Sequence, residues 1–202
     1  MDPSKSSMLE NLQQQWSSCQ RCTALLGSRL RVVFGRGSAE AVAFLLGEAP
    51  GASEAALGEP FVGPAGGELS RAARGTLEFC YITNIICCRP PNNRSPLPDE
   101  EYSCRQRLLG QLRIINPRLL VTLGRCSLDA MAVIPALGLG QHLDLALLDE
   151  AVKQAAPALT GWYAAYHPAY VLHSPFGRKA VDKDWDILRP VIEQLVRDAR
   201  SS

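Results

Sequence analysis

Three residues of this chain stand where an apolar run ends, and their types suit chemistry. Ala41-Val42-Ala43-Phe44-Leu45-Leu46 runs into Gly47-Glu48-Ala49-Pro50-Gly51, so Glu48 follows the first run. Asn84 lies near the end of Cys80-Tyr81-Ile82-Thr83-Asn84-Ile85-Ile86, and His167 follows Gly161-Trp162-Tyr163-Ala164-Ala165-Tyr166. A fourth candidate, Phe61, stands in the loop Gly58-Glu59-Pro60-Phe61-Val62-Gly63-Pro64-Ala65-Gly66-Gly67. Bare glycine backbones let a ligand come close, and a phenyl ring there offers a stacking surface. An amide pairs with adjacent donor and acceptor atoms. An imidazole donates to an oxygen where negative charge develops. Together these residues suit a small, planar, polar ligand.

A second group is sulfur-based. The chain has seven cysteines, an odd number unsuited to a closed disulfide framework. Cys19-Gln20-Arg21-Cys22 forms a C-x-x-C pair, while Cys88 and Cys104 border a proline-rich loop and the helix after it. Four thiolates from these positions suit zinc or an iron–sulfur cluster, and spacing does not choose between them. Cys80, Cys87 and Cys126 sit on or beside apolar segments and read as buried free thiols.

The elements that must position these groups follow from pattern. Short apolar runs bounded by Gly and Pro read as buried strands, here roughly 41–46, 80–86, 119–123 and 161–166. Residues 8–25 hold a short helix and then the C-x-x-C pair; 35–38 form a turn and 68–75 a helix. Prolines 90, 91, 96 and 98 forbid regular structure after Cys88. A helix opens on Pro98-Asp99-Glu100-Glu101, acids in its first turn, and runs to about Asn116. Residues 126–158 read as helical or irregular, and an amphipathic helix covers roughly 182–200. Strands alternating with helices favour an α/β fold with a parallel sheet and helices on both faces. In such sheets ligands bind beyond the carboxyl ends of the strands, where Glu48, Asn84 and His167 all fall.

Composition sets outer limits. A chain of 202 residues, 47% hydrophobic, can fill one core, so a single domain over 1–202 is expected, with its core at about 16–195 and polar extensions at the termini. A formal net charge of +1 gives no global nucleic-acid signal. Any such contact must come from a local patch. The first fifteen residues lack the layout of a secretion signal, and no apolar run reaches the length of a membrane span. A soluble, cytoplasmic protein without membrane contact is expected.

These motifs carry a resemblance. Gly47-Glu48-Ala49-Pro50-Gly51, Pro60-Phe61-Val62-Gly63 with Ala65-Gly66, Tyr81-Ile82-Thr83-Asn84 with Cys88-Arg89-Pro90-Pro91, and His167-Pro168-Ala169-Tyr170 follow one another in order. They resemble the motifs of the family 4 uracil-DNA glycosylases, iron–sulfur members of the uracil-DNA glycosylase superfamily, over about residues 16–195. The resemblance implies a three-layer α/β/α sandwich around a central four-stranded parallel sheet. It implies a [4Fe–4S] cluster on Cys19, Cys22, Cys88 and Cys104. It implies a monomeric enzyme that removes uracil from single- or double-stranded DNA. Phe61 would stack on the extrahelical base, Asn84 would pair with its O4 and N3 edge, and His167 would donate to O2. Gly47, Glu48 and Ala49 would supply backbone contacts beneath it.

The departures from that pattern concern water and DNA. The superfamily's best-known branch carries an aspartate where this chain has Ala49, as family 4 does, so Glu48 or Glu54 is left to steer water. Glu54-Ala55 stands where the family commonly has a Glu-Asp pair. His173 replaces an arginine thought to wedge into DNA, with Arg178, Lys179 and Lys183 nearby for phosphates. Two other readings stay open on sequence alone. One is a non-catalytic iron–sulfur DNA-binding or polymerase-associated module; the other is a glycosylase for another deaminated base.

Overall fold

Four five-residue runs, buried along nearly their whole length, build the middle of one sheet. The computed structural model describes residues 4–27 and 29–201. Its strands are β1 (Arg36–Gly37), β2 (Ala43–Gly47), β3 (Cys80–Asn84), β4 (Leu119–Leu123), β5 (Gln141–Leu143) and β6 (Gly161–Ala165). They lie in the order β1-β3-β2-β4-β6-β5. The neighbours β3/β2, β2/β4 and β4/β6 are parallel; β1 and β5 add antiparallel edges. The sheet therefore has six strands where four were expected. The two extra strands have two and three residues and exposed or half-buried side chains, so no apolar run announces them. Short edges of this kind also offer little template for pairing with another chain.

The helices are α1 (Lys5–Ser17), α2 (Thr23–Leu26), α3 (Ala52–Leu57), α4 (Pro64–Ala73), α5 (Pro98–Ile115), α6 (Arg125–Met131), α7 (Glu150–Ala155), α8 (Tyr170–His173) and α9 (Gly177–Arg200). Side chains alternate across a strand, and both faces here are apolar. Phe44, Leu46 and Leu120 face Leu108 and Leu112 of α5. Ala43, Leu45 and Val121 face Leu69 of α4 with Trp185 and Leu188 of α9. A sheet buried on both sides needs helices on both sides, and the result is an α/β/α arrangement.

Two helices differ from expectation in ways that bear on the site. The first helical stretch breaks after Ser17, leaving Cys19 and Cys22 in an irregular loop before α2. The last helix begins at Gly177, where a Cβ would lie 2.1 Å from the Tyr170 carbonyl oxygen. Glycine thus allows α9 to start directly against α8. The expected start of α5 is observed: the Glu100 carboxylate accepts from the Leu97 N–H at 2.9 Å and pairs with Arg94. That pair closes the proline-rich loop back onto the helix.

Candidate active site

Because β2 and β3 are parallel and in register, Gly47 lies beside Asn84. A Cβ at position 47 would stand 2.4 Å from Asn84 Oδ1 and 2.7 Å from Phe61 Cζ. Ring and amide meet only because that Cβ is missing. Asn84 is buried, and its side-chain amide bonds no protein group among the described residues, which leaves its donor and acceptor for a ligand.

Phe61 reaches this point through a backbone conformation unusual for its type. Its φ is +55°, in the left-handed region that bulky residues avoid, at a cost of order 1–3 kcal/mol. Neighbours hold it there. One Glu54 carboxylate oxygen accepts from Val62 N–H at 3.1 Å and Gly63 N–H at 2.8 Å, and the other from Gly51 N–H at 3.1 Å. Arg36 Nε donates to the Pro60 carbonyl at 3.0 Å. Gly66 lies so near that a Cβ would sit 1.8 Å from the Phe61 carbonyl oxygen. Glu54, a sequence candidate for steering water, thus lines the cavity but has both oxygens engaged in bracing the loop.

His167 enters from the end of β6. Gly124, beyond β4, makes room, since a Cβ there would stand 2.9 Å from that of His167. The imidazole is 5.8 Å from the Phe61 ring between centroids. Its Nδ1 accepts from the Ala169 N–H at 3.1 Å, which assigns the proton of the neutral ring to Nε2. Burial holds the imidazole below its ordinary value of 6.5, and the Glu48 and Glu54 carboxylates pull the other way. The outcome is a neutral ring with one N–H to offer.

Glu48, Phe61, Asn84, Ser95, His167 and His173 line one cavity of about 590 Å³, and Ala49 lies on its wall. Sequence reasoning missed the wall that Asn93, Arg94 and Ser95 form; the prolines around them announced a loop but not where it folds. Cys126, read from the sequence as a buried free thiol, is half-buried beside Glu48 and pushed up to about 11 by burial first and by that carboxylate next. His173 lies exposed at the mouth, near exposed Leu172 and Phe176. Arg178, read as a phosphate contact, pairs with Glu68 at 2.9 Å, while Lys179 is exposed.

The four candidate metal thiols also converge. Cys19, Cys22, Cys88 and Cys104 surround a small enclosed space with Trp16 and Arg29. Burial pushes Cys22 up to about 11, and the nearby Cys104, Cys88 and Cys19 add to this. Cys104 is drawn down to about 6, by a hydrogen bond with buried Cys87 first and by the Arg107 charge as well. Among the described residues no three of His, Cys, Asp and Glu are gathered tightly enough to chelate one metal ion. The thiols instead ring a space, an all-sulfur donor set that suits a multi-atom group bound at its corners.

Comparison with known proteins agrees with this geometry. A family model described as the uracil DNA glycosylase superfamily matches residues 34–189. A "Type-4 uracil-DNA glycosylase" of Archaeoglobus fulgidus is 35% identical over 186 residues, 88% of this chain and 89% of the relative. One from Saccharolobus solfataricus is 33% identical over 190 residues, 88% of this chain and 83% of the relative. A "Type-5 uracil-DNA glycosylase" of Pyrobaculum aerophilum aligns over 109 residues at 34% identity, covering 54% of this chain.

The histidine geometry gives a direct prediction. In the folded protein the ring takes its proton only below 6.5, so folding favours the neutral form. As pH falls through that ordinary value the unfolded chain gains the proton first, and stability declines. A ¹⁵N NMR titration of His167 is expected to show the Nε2-protonated neutral tautomer and a depressed pKa. Glu48→Gln removes an opposing charge and lowers it further. A rise in that variant contradicts the electrostatic assignment.

Proposed function

The chain belongs to the uracil DNA glycosylase superfamily and to its Type-4 uracil-DNA glycosylases, and on that premise we propose that it excises uracil from DNA. Uracil arises by cytosine deamination, and the role is base-excision repair. The convergence of Phe61, Asn84 and His167 on one cavity carries this reading. The enzyme acts as a soluble monomer of one domain in the cytoplasm. The described residues contain no helix long and apolar enough to cross a membrane.

A base in a duplex is out of reach, so the nucleotide is first extruded, at a cost of a few kcal/mol that is least in mispairs and single strands. Phe61 stacks on the flipped uracil above Gly47. The Asn84 amide donates to O4 and accepts from N3–H. His167 Nε2–H donates to O2. When the bond between N1 and C1′ breaks, its electron pair leaves with uracil and the charge spreads onto O2. A neutral histidine meets that growing charge with a preformed donor and keeps its proton, so uracil departs as the anion. The sugar is left oxocarbenium-like. Water then bonds to C1′ and releases a proton, with Glu48 orienting it. Glu54 serves by bracing the Phe61 loop. At the mouth, His173 contacts the extruded strand and Lys179 a phosphate; Arg178 contributes only by leaving Glu68.

Cys19, Cys22, Cys88 and Cys104 would hold a [4Fe–4S] cluster, and in doing so would tie together the α1–α2 loop, the loop after β3 and α5. A hydrolysis needs no electron, so this role is structural. Purified protein is expected to contain iron and sulfide with broad visible absorbance, and stoichiometric zinc in a colourless protein contradicts the assignment. The activity test is strand cleavage by alkali after incubation with a uracil-containing oligonucleotide. Native protein is expected to release uracil, and His167→Ala to turn over roughly 10²–10³ more slowly, as for loss of one preorganised donor. Asn84→Asp replaces an amide donor with an acceptor and moves preference toward cytosine, whose exocyclic amine donates. Absence of uracil release by native protein overturns the reading.

A further inference from the structure

Arg107 is a charged group in an unusual place. It lies on α5 one turn after Cys104 and is wholly buried. Nη1 donates to Thr83 Oγ1 at 2.8 Å and Gln111 Oε1 at 2.7 Å, and Nη2 donates to the carbonyls of Asn84 and Ile85, each at 2.7 Å. None of these acceptors is charged. The Nε–H, also buried, has no partner among the described residues. Arginine stays protonated in proteins, and a buried charge is strongly destabilising unless an anion balances it. Cys104, one of the four thiols of the candidate metal site, stands one turn earlier on the same helix.

We propose that Arg107 is a positioning residue coupling the four-thiolate site to base recognition. Its charge is balanced by the anionic thiolate-bound group, and its two Nη2 bonds clamp the end of β3 that presents Asn84. The charge half rests on the iron–sulfur reading above. The clamp half rests on the hydrogen bonds alone. The network extends the clamp: Gln111 Nε2 donates to the Phe34 carbonyl and to Tyr81 Oη, and Thr83 Oγ1 donates to the same carbonyl. Two side chains of α5, Arg107 and Gln111, therefore tie the end of β3 and the segment before β1 together behind the cavity.

Two variants of the full, metal-loaded chain separate the halves, and iron content reports folding in each. Arg107→Lys keeps the charge but cannot span both carbonyls. It is expected to keep iron and reduction potential near native values while free uracil inhibits about tenfold more weakly, the loss of roughly one hydrogen bond's worth of order. In an Asn84→Ala background the same change is expected to alter uracil inhibition less than about twofold, since coupled residues depart from additivity and this effect runs through Asn84. Arg107→Gln keeps donors but loses the charge, and is expected to move the cluster's potential to more negative values. Equal loss of uracil binding in both backgrounds overturns the coupling, as does an unchanged potential in Arg107→Gln. If native protein holds iron, those results leave the cluster reading standing; native protein without iron overturns both.

Discussion

The close approach at Gly47 is the constraint on which the site depends. Parallel register sets Gly47 beside Asn84, and the missing Cβ lets the Phe61 ring occupy the space a side chain would take. A ring that must stand there dictates its own loop. Phe61 adopts a left-handed backbone, and such strain persists only where surroundings over-determine it. Glu54, Arg36 and Gly66 are those surroundings. A carboxylate with three backbone donors is thereby spent on shape rather than on proton transfer.

Polar groups around the cavity divide by what they face. Those behind the strands are engaged: Thr83, Gln111 and Arg107 bond one another and the backbone, with the Arg107 Nε–H the exception among the described residues. Those in front keep a free valence, the Asn84 amide and the Nε2 side of His167. A buried network that is nearly complete rigidifies its neighbourhood, so the free groups are held in place by bound ones. His167 follows the same rule, since its Nδ1 is engaged by Ala169 and only its outward nitrogen remains.

The central strands and the strand-end residues were legible because both depend on local pattern. Apolar runs such as Ala43–Gly47 can only be buried, and a polar residue after them can only lie at the sheet edge. The edge strands were not legible, since Arg36–Gly37 and Gln141–Leu143 are short and half-exposed and exist through pairing with distant partners. Glu54 read as an acid near a pocket because its three N–H partners are brought to it only by folding. Arg107 drew no notice in the sequence, because nothing local marks it as turned inward. Arg178 read as a free cation, whereas Glu68, far away in sequence, holds it.

Gly47→Ala tests the central claim most directly, because it adds one methyl group where ring and amide converge. The expected result is a folded protein with native iron content whose uracil release falls at least about 10²-fold, as a small misplacement of the reacting groups can do. Native rates in a folded Gly47→Ala protein would contradict the account, since they would mean that the ring and amide need not meet at this glycine for the base to be held.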